Sequence, residues 1–222
     1  MKFLIAALLL AAAYLAWRRW RKAAQARYLD NFPLHNLLDR RLAARRPELD
    51  ATQRAAVLAG LREYFLFCRQ AGRRMVAMPS QAVDDAWHEL ILYTRQYDSF
   101  CRHAFGRFLH HTPAEAMRTP TQASEGLRRA WRLACAHERI DSKKPDRLPR
   151  LFALDASLGI AGGFIYQLDC MAARQAGDAA GYCASHIGCG NGCGGDGGGS
   201  DGCSGDSGSG GCGGGCGGGG GD

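Results

Sequence analysis

An uncharged apolar run near the N-terminus constrains this chain more than any other feature. Phe3 to Trp17 contain no charged side chain, and about fifteen such residues approach the roughly twenty that a helix needs to cross the hydrocarbon of a bilayer. Four cations follow at once, in Arg18-Arg19-Trp20-Arg21-Lys22. They favour the cytoplasmic side, and Trp17 and Trp20 suit the membrane interface. We therefore predict a retained single-pass membrane anchor at residues 1–23, with the body on the cytoplasmic side.

A cleaved signal peptide is the alternative for this segment. Lys2 would provide its positive start, and Ala11-Ala12-Ala13 would provide small residues for cleavage. The cluster of cations after Trp17 argues against translocation. If the body is cytoplasmic, the ten cysteines lie in a reducing compartment, where disulfides are not expected.

The last forty residues, 183–222, have almost nothing to bury. They are mostly Gly, Ser, Asp and Cys, and Ile187 is their one large aliphatic residue. Ordering such a chain costs about 1–2 kcal/mol per residue without a compensating core. We expect a disordered Gly/Cys-rich tail that serves as a linker or a low-affinity metal ligand, and a single domain at 30–182. The cysteine spacing does not match a zinc finger.

Positive charge is concentrated in the body. Residues 1–182 hold all 28 Lys and Arg but only 17 of the 21 acids, so 28 − 17 gives a formal charge of +11. An anionic leaflet or nucleic acid would be attracted to such a surface. The anchor favours membrane lipid over nucleic acid, although a solvated Arg-rich surface without a ligand is the simplest interpretation. Protein partners are not identified by any motif.

The spacing of apolar residues from Asn31 to Arg174 is helical and predicts an all-α fold. Asp50 and Gln53 have the spacing of a capping box, and Ser80 can cap the next helix. The predicted helices are Leu34–Leu42; a helix from Asp50 to near Gly72; a long helix from Ser80 through Cys101; a short one after the Thr112-Pro113 cap; 122–138; and 147–158, followed by a turn at Ile160–Tyr166 and a last helix through Met171.

The residues that could carry chemistry lie between Val83 and Pro113, which hold four of the seven histidines. Asp84 and His88 are four residues apart and share one helix face, at the edge of the stripe centred on Trp87. A carboxylate and an imidazole so placed can both bind a divalent metal such as zinc, or the acid can orient the ring.

The other histidines limit how such a site could be completed. His103 would lie about 22 Å along a straight helix from His88, so those two cannot share an ion. His110 and His111 follow on a loop and reach His88 only if the preceding residues run back almost fully extended. The candidate metal ligands are therefore Asp84, His88, His110 and His111. A hydrolase would also need a base, for which Glu89 or Asp85 is the candidate.

Familiar catalytic motifs are absent. The sequence has no phosphate-binding glycine loop with a following Lys-Ser or Lys-Thr, no nucleophile elbow, no HExxH and no CxxC. Cys101 falls on the core side of its helix, where a free cysteine usually packs as a small hydrophobe. No catalytic residue can be assigned.

This stretch resembles the glycine-rich domain-containing protein-like family, whose bacterial branch is a domain of unknown function. The shared pattern is V-D-x-x-W-H, then Y-x-x-x-C, then G-x-x-x-H-H-x-P, and its residues here are Val83, Asp84, Trp87, His88, Tyr97, Cys101, Gly106, His110, His111 and Pro113. Leu148–Gly163 and the Gly/Cys-rich tail are similar to the bacterial branch, so the resemblance covers residues 50–222. Leu90 stands where members often have a second histidine, and the resemblance implies no reaction.

Three hypotheses follow. The first is a non-catalytic, membrane-anchored helical module for binding or scaffolding, with lipid as its partner. The second is a metal-binding protein or metal-dependent hydrolase built on the Asp84–His88 pair and the His110-His111 loop. The third is a basic nucleic-acid-binding domain, which has only the charge in its favour.

Overall fold

The structure is a computed structural model that describes residues 2–111, 120–168, 182–183 and 187. Those residues fall in one unit, Met1–Gly190. Their helices are α1 Lys2–Asn31, α2 Leu34–Arg45, α3 Ala51–Ala71, α4 Gln81–Ile91, α5 Thr94–Phe105, α6 Pro120–Glu138 and α7 Arg150–Leu158. Two short strands, β1 Tyr166–Gln167 and β2 Tyr182–Cys183, pair in parallel. The predicted all-α class is confirmed.

Helix α1 continues well beyond the apolar run. It is long and apolar enough to cross a membrane, by length and composition, and it runs unbroken to Asn31. Its last turns belong to the body, since Leu29 is fully buried. Arg62 of α3 donates hydrogen bonds to the carbonyls of Leu29 and Asp30. The apolar segment is therefore joined to the body by helix, without a flexible linker.

Helix α3 lies at the centre of the body. Both predicted capping hydrogen bonds are present. The backbone N–H of Gln53 donates to the Asp50 carboxylate at 2.8 Å, and the backbone N–H of Asp50 donates to the side-chain carbonyl of Gln53 at 2.9 Å. Gly60 faces α4 and α7, where a β-carbon would lie 3.0 Å from the Val83 side chain and 3.2 Å from Leu154. The absent side chain is what lets three helices meet this closely.

The prediction of one long helix from Ser80 through Cys101 is wrong. The chain breaks between α4 and α5, where the Tyr93 amide donates to the Leu90 carbonyl at 3.1 Å. No proline or glycine marks the break. Tertiary packing explains it, because the turn folds α5 back until Tyr97 accepts a hydrogen bond from the Trp87 indole at 3.0 Å. A straight helix would carry Tyr97 and Phe100 away from this core.

The later elements agree with the predictions in part. Helix α6 matches the predicted 122–138 within two residues. Helix α7 begins at Arg150, three residues later than predicted, because Pro149 stands at its N-cap and disfavours helical backbone at the residue before it. The predicted last helix does not begin directly after the turn that ends at Tyr166, since Gln167 pairs with Tyr166 in β1. The Thr112-Pro113 cap, residues 169–171 and nearly all of the tail lie outside the described residues.

Candidate metal centre

The first two turns of α4 position Asp84 and His88. The Ser80 hydroxyl caps this helix by accepting from the Val83 amide at 3.3 Å. Asp84 and His88 then share one face, as predicted, with the His88 Nδ1 3.5 Å from an Asp84 carboxylate oxygen. The Asp84 side chain is 18% exposed and that of His88 45%. The pair therefore lies at the edge of the core, within reach of solvent.

The loop after α5 brings His111 to this pair. Gly106 ends α5 with a φ of 69°, a left-handed conformation that a residue with a side chain rarely adopts. Farther along the loop, the Tyr97 hydroxyl donates to the Leu109 carbonyl at 2.5 Å. The His111 ring then packs against the Trp87 indole, with ring centres 4.5 Å apart. Trp87 and Tyr97 together hold the loop against α4.

Three potential ligand atoms converge as a result. The His111 Nε2 lies 2.8 Å from an oxygen of Asp84, and one ligand atom from each of Asp84, His88 and His111 lies within 4.8 Å of the others. Zinc binds imidazole nitrogen and carboxylate oxygen at about 2.0–2.2 Å, so neighbouring ligand atoms stand about 3–3.5 Å apart. Small side-chain rotations would place all three around one ion. Three protein ligands leave a fourth position for water.

The other two histidines lie elsewhere. The ring of His110 packs against Phe108, with centres 4.8 Å apart, and does not belong to the cluster. His103 stacks on Tyr28 of α1 at 5.0 Å. The expectation that His88 and His103 lie on one straight helix fails with the break after α4, and the same break shortens the path that His111 must cover.

Neither candidate base points to the cluster. The Asp85 side chain is 5% exposed and binds Arg46, the C-cap residue of α2, at 2.7 Å and 2.6 Å. Glu89 binds Arg41 of α2 at 2.5 Å. Arg45 also pairs with Asp85, at 3.4 Å. These charge-assisted pairs with guanidinium groups fasten α4 to α2 and its C-cap, and they leave both carboxylates occupied. Nothing in the local sequence around Asp85 reveals these partners, which are 39 to 48 residues away.

The cysteines of the described body are buried thiols. Cys101 is fully buried, as expected of a core residue, and Cys68 is 4% exposed. Burial raises the pKa of the Cys68 thiol to about 12 and that of Cys135 to about 11. A thiol with so high a pKa is a poor nucleophile and a poor metal ligand at neutral pH.

Comparison with known proteins corrects the family assignment. No curated protein and no solved structure matches the chain. The resemblance to the glycine-rich domain-containing protein-like family is wrong, because the family that matches is an uncharacterised one and nothing in the match indicates the other. The match spans residues 24–187, about three quarters of the chain, from the last turns of α1 to the buried Ile187. The chain is a member of the UCP032817-like family.

Proposed function

We propose that this chain is a membrane-anchored, metal-binding helical protein, with Asp84, His88 and His111 as the ligands of one divalent ion. The convergence of their ligand atoms within 4.8 Å carries the proposal. The cluster joins two segments that are 23 residues or more apart in sequence. The Trp87 indole also packs against the His111 ring and helps to hold it in position.

The ligand chemistry selects the class of ion. Two imidazoles and one carboxylate suit zinc, and the same set with open positions also suits ferrous iron. We assign zinc binding as the primary activity and not hydrolysis. Glu89 and Asp85 are held by Arg41 and Arg46, so no base is assigned beside the ion.

Helix α1 supplies the proposed anchor. A signal sequence near the N-terminus has a similar composition, and two features favour retention. The cations from Arg18 to Lys22 resist translocation, and α1 is continuous with a segment whose Leu29 is fully buried in the body. If α1 is retained as an anchor, the body lies on the cytoplasmic side, against an anionic leaflet. The Gly/Cys-rich tail is then available to bind a partner or a soft metal.

Cobalt binding to the full chain in detergent micelles tests the metal site. Co²⁺ replaces zinc in such sites, and its visible bands separate nitrogen and oxygen ligands from thiolates, which add intense near-ultraviolet charge-transfer bands. The parent protein carries serine at Cys170 and at the six later cysteines, so that the tail does not compete. The test variants are His88→Ala and His111→Ala, and His110→Ala is the matched control.

The expected result is one equivalent of Co²⁺ with nitrogen and oxygen ligands, displaced by zinc. Each test variant should weaken binding by more than about 100-fold, since even outer partners of metal ligands contribute 10- to 100-fold. His110→Ala should bind as the parent does. If the parent binds no ion, or if His111→Ala binds as tightly as His110→Ala, the proposal is wrong.

A further inference from the structure

Trp87 also borders a cavity whose lining does not include Asp84, His88 or His111. The cavity, of about 160 Å³, opens between the end of α3, α4 and the loop after α5. Its wall is aromatic and apolar, and its rim carries three arginines and a histidine. The wall residues are Tyr64, Cys68, Met75, Val76, Trp87 and Leu109, and the rim residues are Arg73, Arg74, Arg107 and His110.

The rim cations have no acidic partners among the described residues. Arg73 and Arg74 form no ion pair there, and the guanidinium of Arg107 donates only to the carbonyls of Gly72 and Phe108. Elsewhere in the body, arginines such as Arg46 and Arg54 are matched with carboxylates. Guanidinium groups that pair with no described carboxylate and surround a concave surface suit the binding of a phosphate group.

The orientation of α3 directs this rim toward the apolar end of α1. Arg62 binds the backbone at Leu29 and Asp30, and Arg69, two turns later, binds the Lys22 carbonyl at 3.3 Å. Helix α3 therefore runs antiparallel to α1. Its C-terminal end, which leads into Arg73 and Arg74, points to the membrane side of the body.

Helix α5 has the same orientation. His103 stacks on Tyr28, whereas Gly106 lies against Arg21 and Gln25, which are closer to the apolar run. Arg107 follows directly. Arg21 is four residues past Trp17, or about 6 Å along the helix. The interfacial zone of a leaflet is about 5–8 Å deep, so Gly106 and Arg107 stand at the depth of lipid headgroups when α1 spans the bilayer.

We propose that this cavity binds the phosphate headgroup of an anionic membrane lipid. The guanidiniums of Arg73, Arg74 and Arg107 hold the phosphate, and the apolar wall beside Trp87 accepts the carbons next to it. Free phosphate is also an anion but has no carbon atoms to pack against that wall, so the lipid is the ligand that fits both parts. The inference rests on the proposed anchoring by α1 and does not depend on the metal.

Native mass spectrometry of the full chain in detergent micelles tests the cavity. The protein is titrated with dioleoylphosphatidylglycerol or with zwitterionic dioleoylphosphatidylcholine, and the retained lipid is counted. The test variants are Arg73→Gln/Arg74→Gln, which removes two guanidiniums that form no side-chain hydrogen bond among the described residues, and the triple variant that adds Arg107→Gln. The matched control, Arg40→Gln/Arg95→Gln/Arg132→Gln, removes three exposed cations that do not line the cavity. Circular dichroism verifies folding.

The parent and the control should retain phosphatidylglycerol over phosphatidylcholine by about tenfold or more, and the triple variant should lose that preference. The double variant should lose most of it. Equal retention by the parent and by a folded double variant would overturn the proposal. Millimolar inorganic phosphate in a parallel titration should not displace the lipid, and displacement would assign the cavity to a soluble phosphate compound.

Two further readouts separate this inference from the proposed function. Extraction of the parent from membranes by alkaline carbonate would show that the anchoring is wrong, whatever the micelle titration gives. Co²⁺ binding by the triple variant should equal that of the parent, because none of its substitutions touches Asp84, His88 or His111. Loss of lipid preference with intact Co²⁺ binding is the pattern that we expect.

Discussion

The buried carboxylate of Asp155 accepts a hydrogen bond from the Ser80 hydroxyl at 2.6 Å, and so fastens α7 to the first turn of α4. It also accepts from the Gln81 amide at 2.6 Å, the Ala82 amide at 3.3 Å and the Phe164 amide at 2.9 Å. Its charge lies at the positive end of the α4 dipole. Asp155 therefore sets the position of the helix that presents Asp84 and His88.

Asp155→Asn should destabilise the protein strongly. The amide group of asparagine cannot accept from the backbone donors that face one of the carboxylate oxygens, and the negative charge at the helix N-terminus is lost. We expect the free energy of unfolding to fall by about 3 kcal/mol. Urea denaturation of the full chain in micelles measures it. Asp146→Asn, an exposed control whose side chain is 76% accessible, should change stability by less than about 0.5 kcal/mol.

Gly60→Ala tests the close contact of α3 with α4 and α7. Alanine favours helix over glycine by about 1 kcal/mol, but the new methyl would lie 3.0 Å from Val83 and 3.2 Å from Leu154. Overpacking of this kind costs about 1–3 kcal/mol, so we expect a net loss of stability. Ala59→Gly on the exposed side measures the propensity alone. A stabilised Gly60→Ala would mean that the core adjusts freely around α3.

Tyr97 should act as a positioning residue for the metal site. Its hydroxyl links the Trp87 indole to the Leu109 carbonyl, two residues before His111. Tyr97→Phe breaks that link, and we expect Co²⁺ affinity to fall by about 10-fold, as for other outer partners of metal ligands. Tyr93→Phe is the matched control, because the Tyr93 hydroxyl contacts α2, at the Leu37 carbonyl and the Arg41 side chain, and not the loop that carries His111. Equal affinities in the two variants would contradict this role.

Cys68 and Cys135 should react slowly in the folded protein. Burial raises the pKa of Cys68 from 9.0 to about 12, which lowers its thiolate fraction at pH 8 by about 1000-fold. Iodoacetamide labelling of a full chain that keeps only Cys68, Cys101 and Cys135 should be far slower than labelling of the same chain in urea. Labelling at equal rates would show that these thiols are exposed by local opening.

The raised thiol pKa values also predict how stability depends on pH. Below pH 9 the thiols are protonated in both states and the shift has no effect. Above it, the unfolded chain releases the Cys68 proton while the folded chain keeps it up to about pH 12, so the free energy of unfolding falls as pH rises through this interval. Cys68→Ala should reduce the slope measured by urea denaturation between pH 8 and pH 10.5. An unchanged slope would exclude Cys68 as its source.

Local sequence was sufficient for much of the fold. Asp50 and Gln53 form the predicted capping box, and the apolar run that begins at Phe3 identifies the helix able to cross a membrane. These features depend on residues within a few positions of one another. The four-residue spacing of Asp84 and His88 predicted a shared face for the same reason.

Other features needed the tertiary structure. The break after α4 has no local signal, because its cause is the packing of Tyr97 against Trp87. The choice of His111 over His110 also depends on how the loop meets α4. Asp85 follows Asp84 directly in the sequence and has the same side chain, yet it is buried against Arg46.

The sequence by itself therefore determined the helical class, the apolar N-terminal helix and the shared helix face of Asp84 and His88. Only the tertiary structure decided which histidine joins that pair, which acids are held in ion pairs and which arginines line the cavity beside Trp87. The physical reason is the distance along the sequence over which the interactions act. Helix caps and the 3.6-residue period act between near neighbours in sequence, whereas the convergence of Asp84 and His111 depends on chain reversals that only the packed core stabilises.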